Sequence, residues 1–280
     1  MTAMRSWGFS KGHGTSNDFV LLKDRTNSTP LCAEDVRFLC DRHRGIGADG
    51  VIRAVKAEFL PEWHGDPSLW FMDYRNADGS IAQMCGNGLR VFARYLLDED
   101  YVNEKDIQVA TRAGTKSVRE LNDGRFRADL GPLEVSEPRT AVRLAAAHYE
   151  AVHVDVGNPH AVVFLDSAAE LDALDLTGLP QFDSDAYPEG ANLEFVWAQE
   201  PRALRMRVHE RGSGETLSCG TGVVASAAAQ LGRLGESGRV DVTVPGGELS
   251  VDIDGSHAFL TGPAVIVATG TVYLPDLPRP

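Results

Sequence analysis

The 280-residue chain predicts a mixed α/β protein built as two similar domains, and three observations lead there. Its length exceeds the roughly 100 to 200 residues of one ordinary domain. Short alternating or apolar runs outnumber helical stripes. One local pattern, Cys-Gly-x-Gly opening an apolar helix, occurs twice.

The strand candidates are Phe19–Leu22, Trp70–Tyr74, Val152–Val156, Ala161–Leu165, Glu194–Trp197, Leu204–Val208 and Val240–Val244, apolar or alternating runs of strand length. Pro245-Gly-Gly-Glu248 and Asp254-Gly255 separate alternating segments in the last third. That is hairpin chemistry, so the sheets should be mixed or antiparallel. Helical spacing marks Ala33–Arg42 and the segments after Cys85 and Cys219. Leu89, Phe92, Ala93 and Leu96 follow the first of these cysteines at i, i+3, i+4 and i+7, and Val224, Ala227, Ala228 and Leu231 follow the second in the same way. Each set is a buried stripe. An asparagine precedes each copy, in Gly14-Thr-Ser-Asn17 and in Gly157-Asn158-Pro-His160. Two like halves facing across a cleft follow from this repetition.

Composition narrows the function. With 43% hydrophobic and 24% charged residues the chain has neither disordered nor fibrous bias. A net charge of −13 disfavours nucleic acid as partner, because phosphate binding needs clustered Lys and Arg. No run has the apolar length of a signal peptide or membrane span, so the reading is a cytoplasmic protein without membrane contact. Cysteines at 32, 40, 85 and 219 are too few and scattered for a disulfide framework and lack zinc-finger spacing, so no metal is expected. Cys32 and Cys40, beside Val36 and Leu39, read as small core residues.

The remaining two cysteines carry the chemistry. An ordinary thiol is a poor base at neutral pH, but a helix N-terminus stabilises its thiolate. The glycines behind each cysteine let backbone N–H groups approach an anion, and an α-carboxylate fits there. Removing an α-proton spreads charge into that carboxylate, so such donors stabilise the transition state more than the ground state. Inverting a stereocentre without oxidation needs a base on one face and an acid on the other. One thiolate and one thiol meet the need, with no cofactor. A single Cys-Gly-x-Gly would have a simpler explanation as a turn beside a buried cysteine. Two copies at the heads of corresponding helices point to an amino-acid epimerase.

Lys11-Gly-His-Gly-Thr-Ser-Asn-Asp-Phe19, Arg42-His-Arg-Gly-Ile-Gly-Ala-Asp49, Asn76-Ala-Asp-Gly-Ser80, Cys85-Gly-Asn-Gly88, Gly157-Asn-Pro-His160, Glu210-Arg211 and Cys219-Gly-Thr-Gly222 occur in an order that resembles the diaminopimelate epimerase family over nearly the whole chain. The resemblance implies interconversion of LL- and meso-diaminopimelate without pyridoxal phosphate or metal, feeding lysine and cell-wall synthesis. It implies Cys219 as proton acceptor and Cys85 as donor for the LL substrate, with His160 and Glu210 tuning the thiols. The reacting carboxylate would rest on Gly86, Asn87, Gly220 and Thr221. Asn76, Asn158, Asn192 and Arg211 would hold the distal groups, with Glu210 and Asn17 also lining the site.

Several of these residues have ordinary structural uses: Asn17 and Asn76 can shape turns, His160 can be a satisfied buried histidine, and Glu210-Arg211 a solvated ion pair. At Gly50 many relatives carry a glutamine, and Trp63–Trp70 reads as an insertion. The resemblance further implies two pseudo-symmetric domains, each a sheet wrapped around a central helix, with the active site in the interdomain cleft. Residues 1–128 plus 261–280 would form one domain and 129–260 the other. It also implies a homodimer. Two activated thiols approaching one carbon suggest in addition that mild oxidation joins Cys85 to Cys219 reversibly. Two rival readings remain at this point: a proline or hydroxyproline racemase on the same machinery, and a non-catalytic amino-acid binding protein.

Overall fold

The computed structural model describes residues 5–274, the side chains of 137 and 138 aside. The chain divides into two units, with breaks after Ala128 and after Gly262, so the closing strand belongs with the first. In chain order come β1 (Arg5–Gly14), β2 (Asn17–Lys23), α1 (Ala33–Cys40), β3 (Gly50–Lys56), β4 (Trp70–Asn76), α2 (Gly86–Asp98), β5 (Asp106–Thr111), β6 (Gly114–Glu120) and β7 (Phe126–Pro132). The second unit holds β8 (Glu134–Leu144), β9 (Ala147–Asp155), β10 (Pro159–Leu165), α3 (Ala168–Ala173), β11 (Gln181–Phe182), β12 (Asn192–Glu200), β13 (Ala203–Glu210), β14 (Gly214–Thr216), α4 (Gly220–Leu234), β15 (Gly238–Val244), β16 (Gly247–Asp254) and β17 (His257–Gly262). Finally β18 (Val265–Leu274) returns to the first unit.

The two units repeat one topology. In the first, β18, β1 and β2 pair antiparallel in that order, β2 runs parallel to β3, β3 antiparallel to β4, β4 parallel to β5, and β5, β6 and β7 pair antiparallel. In the second the same series of pairings links β8, β9, β10, β12, β13, β15, β16 and β17. Both parallel joints are helical crossovers. The registers fix which residues correspond. Phe19 pairs with Gly50 as His160 pairs with Asn192, and Leu21 with Ile52 as Val162 with Glu194. Asn17 therefore matches Asn158, Phe19 matches His160, Gly50 matches Asn192, and Ile52 matches Glu194. Following β3 into β4 and β12 into β13 matches Asn76 with Glu210 and Met72 with Met206.

Each sheet wraps around its second helix. Helix α2 packs on β1, β2, β4, β6 and β18, and α4 on β8, β9, β10, β12, β13, β15, β16 and β17. Leu89, Phe92, Ala93 and Leu96 are wholly buried. On α4 the burial extends all round, from Val223 to Leu231, which is what a helix enclosed on every side requires. Each fully buried Leu or Phe contributes roughly 1.5 to 3 kcal/mol. Gly235, at φ 65, ends α4 in the left-handed conformation, its N–H bonded to the Gly232 and Leu231 carbonyls.

Six of the seven strand candidates lie wholly in strands and the seventh, Val152–Val156, runs one residue past β9; the three helical segments are α1, which stops at Cys40, α2 and α4. Strands β1 and β18 were not foreseen: their glycines and threonines hide the apolar alternation, although nine register pairs join them. Cys32 is a correction. It is half-buried and caps α1, its N–H donating to Asp35 Oδ2 at 3.3 Å; only Cys40 lies in the core. The Trp63–Trp70 stretch closes a small satellite core with Val55, Leu60, Phe71 and Ala110, Trp63 meeting Phe71 edge-on at 5.9 Å.

Candidate active site

In the first unit the β1–β2 hairpin sets the site. Thr15 and Ser16 sit at φ 52 and 64, the two positive values that a tight two-residue hairpin demands. Neither is glycine, so the turn carries strain of order 1 kcal/mol per residue. Its product is the placement of Asn17. Asn17 Oδ1 lies 3.6 Å from Cys85 Sγ and accepts from Asn87 Nδ2 at 3.3 Å. Cys85 is the extended N-cap residue of α2, and its sulfur accepts the Gly88 N–H at 3.4 Å. Asn87 and Arg90 are wholly buried behind it. Arg90 Nη2 donates to Asn87 Oδ1 at 3.0 Å, while Arg90 Nη1 has no partner. Burial brings Arg90 down to about 10, and Cys85 works against that fall.

In the second unit Cys219 caps α4 from the same extended conformation. Its surroundings differ in charge. His160, wholly buried, has Nδ1 2.7 Å from Glu194 Oε1 and Nε2 3.2 Å from Asn158 Oδ1. A carboxylate only accepts, so it fixes the imidazole proton on Nδ1. Glu194 Oε2 is buried without a partner. Glu210 accepts the Thr216 hydroxyl. Burial pushes its carboxyl up and Glu194 adds to this, while Thr216 and the Cys219 thiol oppose it. Burial also pushes the Cys219 thiol well up, with Glu210 and Glu194 adding, against the weaker pull of the Thr221 hydroxyl and Gly222 N–H. The helix position alone would have lowered it. Desolvation and two carboxylates outweigh the helix dipole, so the expected activation by position is corrected at this cysteine.

The glycines also do other work than expected. A Cβ on Gly222 would stand 2.5 Å from Glu194 Oε1, and one on Gly88 would stand 2.9 Å from Met72 Cε. They let each helix close onto the strand beneath.

The other named residues fall around these clusters. Gly86 and Gly220 begin the first helical turns and are buried, with Thr221 half-buried. Asn76 donates from Nδ2 to Ser80 Oγ at 3.0 Å and so shapes its turn. Asn192 Oδ1 accepts the Arg211 N–H at 2.9 Å. The Arg211 guanidinium is 42% exposed and reaches the Glu189 carbonyl at 3.4 Å. Gly50, facing Asn76 across β3 and β4, offers no side chain. Sequence reasoning missed Glu194 and Arg90. Each is a lone charge inside an apolar element, Asn192-Leu-Glu-Phe-Val-Trp197 and Leu89-Arg-Val-Phe92, and a charge in such a place needs a partner or a task.

No group of metal-ligating side chains occurs among the described residues, and no described helix is long and apolar enough to cross a membrane. The duplicated fold is shared with proteins of known structure. A hydroxyproline epimerase from Agrobacterium vitis aligns with a TM-score of 0.70 at 14% identity, over 99% of this chain and 95% of that one. A phenazine biosynthesis protein of the PhzF family from Bacillus anthracis aligns at 0.67 with 13% identity, over 96% and 99%. At such identity these likenesses establish the fold alone. The family model for diaminopimelate epimerase matches residues 9–135 and 152–271. The Thermobifida fusca (strain YX) diaminopimelate epimerase is 46% identical over 275 residues, covering 96% of this chain and 99% of its own. That of Rhodococcus jostii (strain RHA1) is 46% identical over 281 residues, covering 94% and 96%. The chain belongs to the diaminopimelate epimerase family and is an isomerase.

Proposed function

We propose that this isomerase interconverts LL- and meso-diaminopimelate by two-base proton transfer, Cys219 and Cys85 acting on opposite faces of the α-carbon. The observation that supports it best is the duplication itself: a sulfur at the N-cap of each central helix, with different proton partners. Cys219 hands its proton to Glu210 and becomes the base for the LL centre. Cys85 delivers its proton from the other face. His160, oriented by Glu194, tunes Cys219 together with Glu210. Backbone N–H groups of Gly86, Asn87, Gly220 and Thr221 receive the reacting carboxylate, where the helix dipoles favour an anion. Asn17, Asn76, Asn158 and Asn192 line the substrate. Arg211 grips the distal carboxylate, for which a planar fork is suited.

The test is to supply LL-diaminopimelate to the purified protein and separate the stereoisomers. Appearance of meso product without added pyridoxal phosphate supports the reading. Turnover of proline instead would transfer the mechanism to another substrate, and ligand-induced thermal stabilisation without turnover would mark a binding protein. The reaction serves lysine and peptidoglycan precursor synthesis in the cytoplasm. Val265, Val267 and Tyr273, exposed by 41, 56 and 58% along β18, support a homodimer formed there, which sedimentation would read. None of the four cysteines is in a disulfide. Oxidation would join Cys85 to Cys219, and peptide mapping after mild peroxide that finds no such crosslink would refute that.

A further inference from the structure

Asn17 touches Cys85 with one particular end of its amide, and two charged side chains dictate which. Asp49 Oδ2 accepts from Asn17 Nδ2 at 2.8 Å. A carboxylate cannot donate, so this bond holds Nδ2 toward Asp49 and leaves Oδ1 toward the sulfur. At the other end Arg90 donates to Asn87 Oδ1, and a guanidinium cannot accept. Asn87 must therefore present Nδ2 to Asn17 Oδ1, as it does. From Arg90 through Asn87 and Asn17 to Asp49 every donor points the same way. Asp49 itself is fixed by Arg42, whose Nη2 donates to Asp49 Oδ1 at 2.8 Å and to Asp18 Oδ1 at 2.9 Å. Lys11 Nζ completes the group with Asp18 Oδ2 at 2.6 Å. This absorbs the motif Arg42–Asp49, which the proposed chemistry left without a task.

We propose that Asp49 and Arg90 are positioning residues: they lock the amide chain in one direction, so that the Asn17 carbonyl faces Cys85 and keeps it a thiol until substrate arrives. An oxygen 3.6 Å from Sγ can accept an S–H but opposes a thiolate. The inference deepens the two-thiol reading and rests on it for its purpose, since an acid must keep its proton while waiting. The charged groups around Cys85 in this chain of contacts are Arg90, Asp49, Asp18, Arg42 and Lys11. Arg90 stays in place to favour the thiolate left once the proton is given.

Two measurements test this without relying on turnover. The infrared S–H band of the substrate-free protein at neutral pH comes from four cysteines. Cys85→Ser should reduce it by about a quarter; an unchanged band would mean that Cys85 is already a thiolate and would overturn the proposal. Next comes Asp49→Asn. The new amide has one oxygen for three donors, Arg42 Nη2, Asn17 Nδ2 and the Asp18 N–H, so Asn17 loses its charged acceptor, and the clamp that keeps its Oδ1 toward the sulfur is left to Asn87 alone. Alkylation of Cys85 at pH 7, followed by peptide mass mapping, should accelerate about 10-fold, the size of one charge-assisted hydrogen bond. Asp18→Asn removes a neighbouring charge without touching the Asn17 amide and should change the rate less than about 2-fold, as expected of a partly exposed charge. Equal acceleration in both variants would assign the effect to charge alone, and no acceleration in Asp49→Asn would remove the lock; either result sinks the proposal. If Asp49→Asn does not fold, an unchanged band in Cys85→Ser still overturns the proposal. Loss of epimerase activity would not affect either readout.

Discussion

The Cys85 and Cys219 clusters stand on one backbone plan and hold opposite chemistry. Where the first unit has Phe19 and Ile52 beneath its central helix, the second has His160 and Glu194; where the first has Asn76, the second has Glu210. The charge buried behind Cys85 is the cation Arg90, and beside Cys219 stand two carboxylates with a histidine. The sheet and helix positions have been kept, and the side chains aimed at the sulfurs have diverged. A duplicated fold thus supplies two like sulfur positions, and in the proposed reaction the differences at a few matched residues would make one a resting acid and the other a base with its own proton acceptor.

Removing either sulfur erases the comparison, and Cys85→Ala or Cys219→Ala should each lower kcat for epimerisation by at least about 1,000-fold, within the range for losing an acid or base. A variant retaining a tenth of the activity would contradict the two-thiol account. Making the second cluster like the first comes next. Glu194→Gln keeps the shape but weakens the hold on His160, and should cost about 10 to 100-fold in kcat with little change in KM. Glu194→Ile should also destabilise by about 3 kcal/mol, because His160 loses its buried partner; equal melting temperatures would show that the pair does not matter.

The packing beneath the helices should differ likewise. Gly222→Ala pushes a methyl into Glu194, which is tied to His160, and should cost about 1 to 3 kcal/mol. Gly88→Ala meets the free end of Met72 and should cost less. Reversed denaturation midpoints would break the comparison.

The smallest effect belongs to the rim of the first cluster. Burial would raise Asp18, yet hydrogen bonds and charge from Arg42 and Lys11 hold it near 2. A depressed carboxyl contributes stability above its unfolded value, about 3.9, that is lost as pH falls toward 2. Partial exposure limits this to less than about 1 kcal/mol. Arg42→Ala should flatten that part of the stability curve between pH 4 and 2; an unchanged curve would remove the assignment.

Much of this was legible in the sequence. Both sulfurs, both helices and the duplication follow from Cys-Gly-x-Gly and the apolar spacing behind it. His160 and Glu210 came with the family motifs. The matched topology was not legible, because β1 and β18 are far apart in the chain and too rich in glycine and threonine to show alternation. Glu194 and Arg90 stayed hidden for a different reason: their meaning lies in what they touch across strands and turns, His160 in one case and Asn87 in the other. The thiol environment of Cys219 was misjudged because burial and two carboxylates act on it from β12 and β13, beyond the reach of local spacing.

The central claim, two thiols with separate roles, is tested most directly by proton NMR of meso-diaminopimelate in heavy water with the reduced protein and its two single-cysteine variants. The wild-type protein should replace the α-proton by deuterium while epimerising, and Cys85→Ala and Cys219→Ala should each abolish epimerisation. Continued epimerisation in either variant would contradict the account.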